Sequence, residues 1–324
     1  MRIDCHVHLS GFTPGHGALS PRLLRSPQFR FLRWKFGIGE VGSQAELDLE
    51  RLLISQLDST PEIDAAVVLA FDAVYDKSGT RLDADTHFFV ENDYVMEIAA
   101  RNRKVLFGVS VHPYRRDAIA ELERCVNRGA VLVKWLPITQ GIDPSDRRCF
   151  EFYEALAHHK IPLLSHTGGE MMLPNVNQCA DPVLLLPALR RGVTVIAAHC
   201  GTRSSPFGND YVRQFVKMAI EHERFYGDTA ALNLPARWHA YGSIFDDQRV
   251  MAKVVHGSDW AVMPIPPVAR LGLSRSVQLM EEENWLRRDV LIKQAIGFDE
   301  AYWNRCATLL RITVPEHGHV APHA

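Results

Sequence analysis

The sequence predicts a (β/α)8 TIM barrel, distorted by a long insertion after its first strand. Eight short apolar runs rich in β-branched residues recur along the 324 residues, and amphipathic stretches of helical period separate most of them. No GxGxxG turn follows the first run, which argues against the doubly wound open sheet, the nearest competing architecture. Eight strand–helix units occupy roughly 250 residues before insertions. One barrel domain over 1–314 therefore fits, with 315–324 (PEHGHVAPHA) left as a flexible tail whose histidines are given no metal role.

The eight expected strands are RIDCHVH (2–8), DAAVVLAF (64–71), VLFGVSV (105–111), AVLVKWLP (130–137), IPLLSH (161–166), VTVIAAHC (193–200), FYGDTAAL (225–232) and KVVHGSD (253–259). Helical period marks 47–60, 92–103, 116–128, 149–160, 181–191 and 209–223 between them. The insertion, 10–46, is rich in Gly, Pro and Ser and has no acidic residue between positions 10 and 39. It carries Arg22, Arg25, Arg30, Arg33 and Lys35, so it reads as a lid that attracts an anionic substrate. Its apolar residues Phe29, Phe31, Leu32, Trp34 and Phe36 could equally pack on a neighbouring subunit, which leaves a homo-oligomer open.

Composition narrows the partners. A formal charge of −2 gives no reason to expect nucleic acid or an anionic membrane, and no apolar run is long enough to span a bilayer. Six scattered cysteines without a CxxC read as reduced thiols. With no long apolar stretch ahead of the first strand, a cytoplasmic protein acting on a small molecule is expected.

The opening MRIDCHVHLS raises the question of chemistry. In a regular strand, side chains alternate, so Asp4, His6 and His8 share one face and Ile3, Cys5 and Val7 the other. Two imidazoles on one face can reach a single cation, or each can simply be satisfied by a hydrogen bond. In a TIM barrel the reacting groups sit at the C-terminal strand ends. There the sequence places His6 and His8 (strand 1), Lys134 (strand 4), His166 (strand 5), His199 (strand 6) and Asp259 (strand 8). Burying such groups unpaired is costly, and separate structural bonds explain six equivalent positions poorly.

This order resembles the metal-dependent amidohydrolase superfamily. The contexts IDCHVHL, LLSHTGGE, AAHCGT and HGSDW are most similar to its amidohydrolase-related branch, which contains hydrolases and non-oxidative decarboxylases, and YWNRCATLLRI resembles its closing helix. The resemblance implies that His6, His8 and Asp259 bind a divalent metal, with His166 and His199 completing it or holding a second. Zinc is the expected ion, one or two per chain, although the ligand set also accepts Mn²⁺, Fe²⁺ and Ni²⁺. Asp259 would take a proton from the metal-activated water and pass it to the leaving group. Lys134 would carry a carbamate bridging two metals; it could instead bind an anionic substrate as an ammonium, or snorkel at the rim.

His112, Arg203 and Asn233 are substrate-binding candidates, and Asp228 could orient substrate too. Glu170 is expected to support a ligand, and Asp72 reads as a loop-turn residue. The expected function is a metal-dependent hydrolase of an amide, ester or lactone bond in a small anionic substrate. The alternatives are a metal-dependent decarboxylase of an aromatic or unsaturated acid, and a barrel that binds a ligand without turning it over.

Overall fold

The computed structural model describes residues 1–170, 177–313 and 321–322. Eight parallel strands follow one another around a single sheet: β1 (Ile3–His8), β2 (Ala65–Leu69), β3 (Val105–Val109), β4 (Leu132–Trp135), β5 (Leu163–His166), β6 (Val195–Ala198), β7 (Phe225–Asp228) and β8 (Val254–Val255). The first and last meet through a Val7–Trp260 bridge. Cys5 N also donates to His256 O (3.0 Å) and His8 N to Trp260 O (2.9 Å), so the sheet closes into the expected barrel.

Both faces of the strands are buried, hence their near-continuous apolar runs. Ile3, Cys5, Val67, Leu132, Leu164 and Ile196 belong to one cluster drawn from strands all round the barrel, which is its interior. Val68, Val133, Trp135, Leu163 and Val195 belong to the outer cluster, under the surrounding helices. Lys134 pairs in register with Leu164 and so faces inward, amid the apolar interior. Helix Glu300–Leu309, started by the Asp299 side chain accepting from Tyr302 N (2.8 Å), adds Cys306 and Ala307 to the interior cluster. The tail lies outside the described residues, apart from Ala321–Pro322, which pair antiparallel with Ile312–Thr313.

Simple alternation fails at β1. Asp4 pairs with Ala66 but Val7 with Val68, so one extra residue is accommodated between them. Across this bulge Cys5 and His6 both turn inward, while Asp4 points outward, away from His6 and His8. The carboxylate instead fastens the bulge to the β8 end, accepting from His6 N (3.1 Å) and Ser258 N (2.9 Å).

The insertion forms ordered elements. Residues Gly17–Leu19 pair antiparallel with Phe88–Val90. Two helices, Pro21–Leu24 and Pro27–Lys35, each begin with a Ser–Pro step: Ser20 and Ser26 accept from Leu23 N (3.3 Å) and Phe29 N (3.2 Å), and proline supplies the first-turn φ. Glu46, on helix Ser43–Asp58, gathers the start of the insertion by accepting from Phe12 N (2.5 Å), Thr13 N (3.1 Å) and His16 Nδ1 (2.5 Å).

Two outcomes are expected from these anchors. Asp4→Ala strands two buried backbone donors and should lower stability by about 2–3 kcal/mol, read as a reduced urea midpoint. Burial would raise the Glu46 pKa, but the bonds from Phe12 N, His16 and Thr13 outweigh it and hold the group below its ordinary 4.5. Because the folded value is depressed, this stabilisation is present above pH 4.5 and lost as pH falls through the lowered value. Limited proteolysis should therefore cut the insertion faster at low pH, and Glu46→Gln should bring that susceptibility to neutral pH.

Candidate metal centre

His6, His8 and Asp259 converge at one barrel end. His6 Nε2 lies 3.1 Å from His8 Nε2, and Asp259 Oδ1 lies 3.4 and 3.3 Å from the two nitrogens. Three donors on so small and even a triangle suit one cation at roughly 2.0–2.2 Å from each. The ring bonds support this. His6 Nδ1 is 2.7 Å from Asp228 Oδ2, which can only accept, so Nδ1 carries the hydrogen and Nε2 presents a lone pair. His199 Nδ1 likewise donates to Ala230 O (2.8 Å), so its Nε2 carries a lone pair, turned to His166 Nδ1 (3.2 Å). Among the described residues, His8 Nδ1 and His166 Nε2 are buried without a hydrogen-bond partner. Lone pairs and carboxylate face one another here, and a divalent cation fits the set.

Asp228 also stands near His6 and His199 at ligand-like distances. Its oxygens are already committed: Oδ2 to His6, and Oδ1 to His199 N (2.7 Å) and Ala230 N (3.1 Å). These bonds fix the ring of His6 and the backbone that carries His199. His199 and Asp259 follow their strands with φ of +61° and +63°, a left-handed conformation unusual outside glycine that swings each side chain into the barrel mouth.

Lys134 Nζ is 3.0 Å from His6 Nε2 and fully buried. Burial pushes its pKa down to about 8, although Asp228 and Asp259 pull the other way. Burial, then the Lys134 charge, hold His6 down at about 4, and burial keeps His166 and His199 well below the ordinary histidine value. Burial opposes ionisation of Asp259, but the adjoining His6 and His8 hold it well below the usual carboxylate range.

Above the cluster opens a cavity of about 190 Å³. His8, His166, His199 and Asp259 form its floor, and Phe71, Phe88, Leu136 and Trp260 part of its wall. The insertion contributes Ser10, Phe12, Leu23, Phe29, Leu32, Arg33, Phe36 and Ile38. Its contribution is thus chiefly apolar: Arg22, Arg25 and Arg30 are exposed on the outside, against the expectation of a basic lid, and Arg33 alone of the expected cations lines the cavity.

The three substrate-binding candidates do not line this cavity. His112 accepts from Tyr114 N (3.1 Å) and donates to Gln140 O (3.0 Å), and burial lowers its pKa to about 4. Asn233 bonds Asp289 Oδ1 and Tyr241 OH, each at 2.7 Å, so both amide ends are engaged. Arg203 is half-buried in the loop after β6. Asp72 ties loops together, accepting from His112 N (2.7 Å) and Arg115 (3.2 Å). Besides Arg33, the arginine at the cavity is Arg237, and Glu170 lines it too. The sequence signal for Arg237 is a lone cation in the apolar run ALNLPARWHAY.

A family model described as Amidohydrolase matches residues 3–270. The chain belongs to the amidohydrolase family. No curated protein matches it. Solved structures similar to this amidohydrolase include a probable 2-pyrone-4,6-dicarboxylic acid hydrolase from Acinetobacter baumannii with citric acid bound (14% identity, TM-score 0.57, covering 96% of this chain and 99% of that one). A 5-carboxyvanillate decarboxylase from Sphingomonas paucimobilis is similar at 12% identity and TM-score 0.57, over 96% and 99% of the two chains. A dihydroxybenzoic acid decarboxylase from Polaromonas sp. JS666, with bound manganese and 2-nitroresorcinol, matches at 13% and 0.55, over 96% of each chain. At these identities the likeness shows the shared barrel. No helix among the described residues is long and apolar enough to cross a membrane.

Asp228→Asn keeps the shape of the carboxylate but weakens its hold on His6. Metal affinity, measured by competition with a chromogenic chelator, should fall about 10- to 100-fold while the fold persists.

Proposed function

We propose that this amidohydrolase is a metal-dependent hydrolase that cleaves an amide, ester or lactone bond in a small molecule. The observation that carries the reading is the Asp259 carboxylate, within 3.4 Å of both His6 Nε2 and His8 Nε2 at the cavity floor. A divalent cation, zinc in our reading, supplies Lewis acidity there, polarising the scissile carbonyl and acidifying a water. His6, His8 and Asp259 would hold it. Asp259, kept ionised, takes the proton from the attacking water as general base and delivers it to the leaving group as general acid. His166 and His199 lie across the floor, His166 Nε2 without a partner and His199 Nε2 against His166 Nδ1, and they would complete the coordination or hold a second cation.

Lys134 points to that second cation. An ammonium 3.0 Å from a ligating nitrogen would repel the metal, so the lysine is neutral or modified when metal is bound. Its lowered pKa favours the free amine, which can add CO₂ at Nζ and release a proton, and the resulting carbamate would help His166 and His199 to hold a second cation. Six unbridged cysteines suit a reducing, cytoplasmic setting.

A decarboxylase is the second reading, favoured by the aromatic wall of the cavity, where Phe12, Phe29, Phe36, Phe71, Phe88 and Trp260 could enclose a planar ring.

Elemental analysis of bicarbonate-supplied protein separates the two. Two metals per chain in the wild type, falling to one or none in Lys134→Ala, are expected for the hydrolase; one metal in both proteins favours decarboxylation. In an ester, lactone and amide panel, Asp259→Asn should lower kcat by about 10²–10⁴-fold, and chelation should abolish turnover reversibly.

A further inference from the structure

Lys293 lies on helix Trp285–Ile296 and is fully buried. Its Nζ donates to Gly257 O (2.7 Å) and to Asp289 Oδ2 (2.5 Å), one turn earlier on the same helix. Asp289 Oδ1 accepts from Asn233 Nδ2 (2.7 Å), and Tyr241 OH donates to Asn233 Oδ1 (2.7 Å). All four residues are buried, and none of them lines the cavity or belongs to the candidate ligand set.

What this network holds is the segment that carries Asp259. Gly257 stands just before that residue, and Ile265, just beyond it, donates its N–H to Asn233 O (2.8 Å). Gly257 is also where the segment presses on the ligand cluster. A Cβ at this position would lie 2.9 Å from His6 Cβ and 3.5 Å from Asp228 Cβ, so the backbone approaches both because it carries no side chain. Asp259 N donates to His6 O (2.8 Å), which ties the same segment to β1. The left-handed backbone of Asp259, with φ of +63°, persists only where its surroundings over-determine it. A buried ion pair adds little stability over apolar residues of similar size, because desolvation offsets its attraction. Its effect here is on the direction of the Gly257 carbonyl.

We propose that the Lys293–Asp289 pair is a positioning brace for the metal centre. By holding Gly257 O, it sets where Asp259 stands against His6 and His8, whose Nε2 atoms lie 3.4 and 3.3 Å from Asp259 Oδ1. This rests on His6, His8 and Asp259 holding a cation as proposed above, and is independent of which bond the enzyme cleaves.

The test uses Co²⁺ as the probe metal, with affinity read by chelator competition and ligand geometry by visible absorption of the cobalt-loaded protein. Lys293→Met/Asp289→Asn should keep a urea midpoint close to that of the wild type, yet bind Co²⁺ at least about tenfold more weakly and with an altered spectrum. Against an Asp259→Ala background the same pair of substitutions should cost less than about threefold, because the ligand they position has gone. If the double variant does not fold, Asp289→Asn alone, which keeps an oxygen toward Asn233, is put through the same cycle. Unchanged Co²⁺ affinity and spectrum in the folded variant would overturn the proposal. So would an equal loss in both backgrounds, which would make the pair a general support of the fold. A wild type that binds no Co²⁺ would overturn the metal centre and the brace together. A brace-dependent Co²⁺ site without turnover of any ester, lactone or amide would sink the hydrolase reading alone.

Discussion

Two oxygens of Asp228 meet three donors, and the order of the whole site follows from how they are shared. Oδ2 takes the His6 ring hydrogen, while Oδ1 takes the backbone N–H groups of His199 and Ala230. One buried carboxylate thus fixes the tautomer of a histidine on β1 and the backbone from which a histidine after β6 projects. Ala230 in turn presents the carbonyl that receives His199 Nδ1–H. The chain of bonds closes on itself, so His6 and His199 both turn their Nε2 atoms into the barrel. Burial strengthens each link and makes any unpaired member expensive.

The same economy explains the contrast between floor and wall. The floor is built on strand ends or the residues just past them, where backbone position is set by barrel pairing. The wall comes largely from the insertion, held at one side by Glu46 and by the Gly17–Leu19 pairing, and touching the far side where Phe36 packs between Trp260 and Trp285. A rigid polar base under an apolar cover excludes water from charged groups, which raises their influence on whatever lies between.

Much of this was legible in the sequence because parallel strands announce themselves. Eight apolar runs gave the barrel, and a polar residue at the end of an apolar run has few innocent explanations, so His6, His8, Lys134, His166, His199 and Asp259 stood out together. What stayed hidden depends on events between elements. Alternation put Asp4 beside His6, but a bulge in β1 turned it to the opposite face. Asn233 and His112 had the right chemistry near strand ends, yet their polar atoms are spent on Asp289, Tyr241 and backbone. Arg237 lies several residues beyond β7, where no period applies, and only the folded loop shows that it reaches the cavity. The basic residues of the insertion were visible, but not that its helices would turn Phe29, Leu32 and Phe36 inward and Arg22, Arg25 and Arg30 outward.

The division of labour between strand ends and insertion has an evolutionary corollary. The side chains proposed to hold metal and move protons come from the barrel, whereas ten residues that line the cavity come from the segment between β1 and β2, which supplies none of them. Substitutions in that segment can drift without disturbing the chemistry below. A lineage carrying this barrel could therefore acquire new substrates by remodelling one contiguous stretch, keeping an inherited reaction while exchanging its clientele.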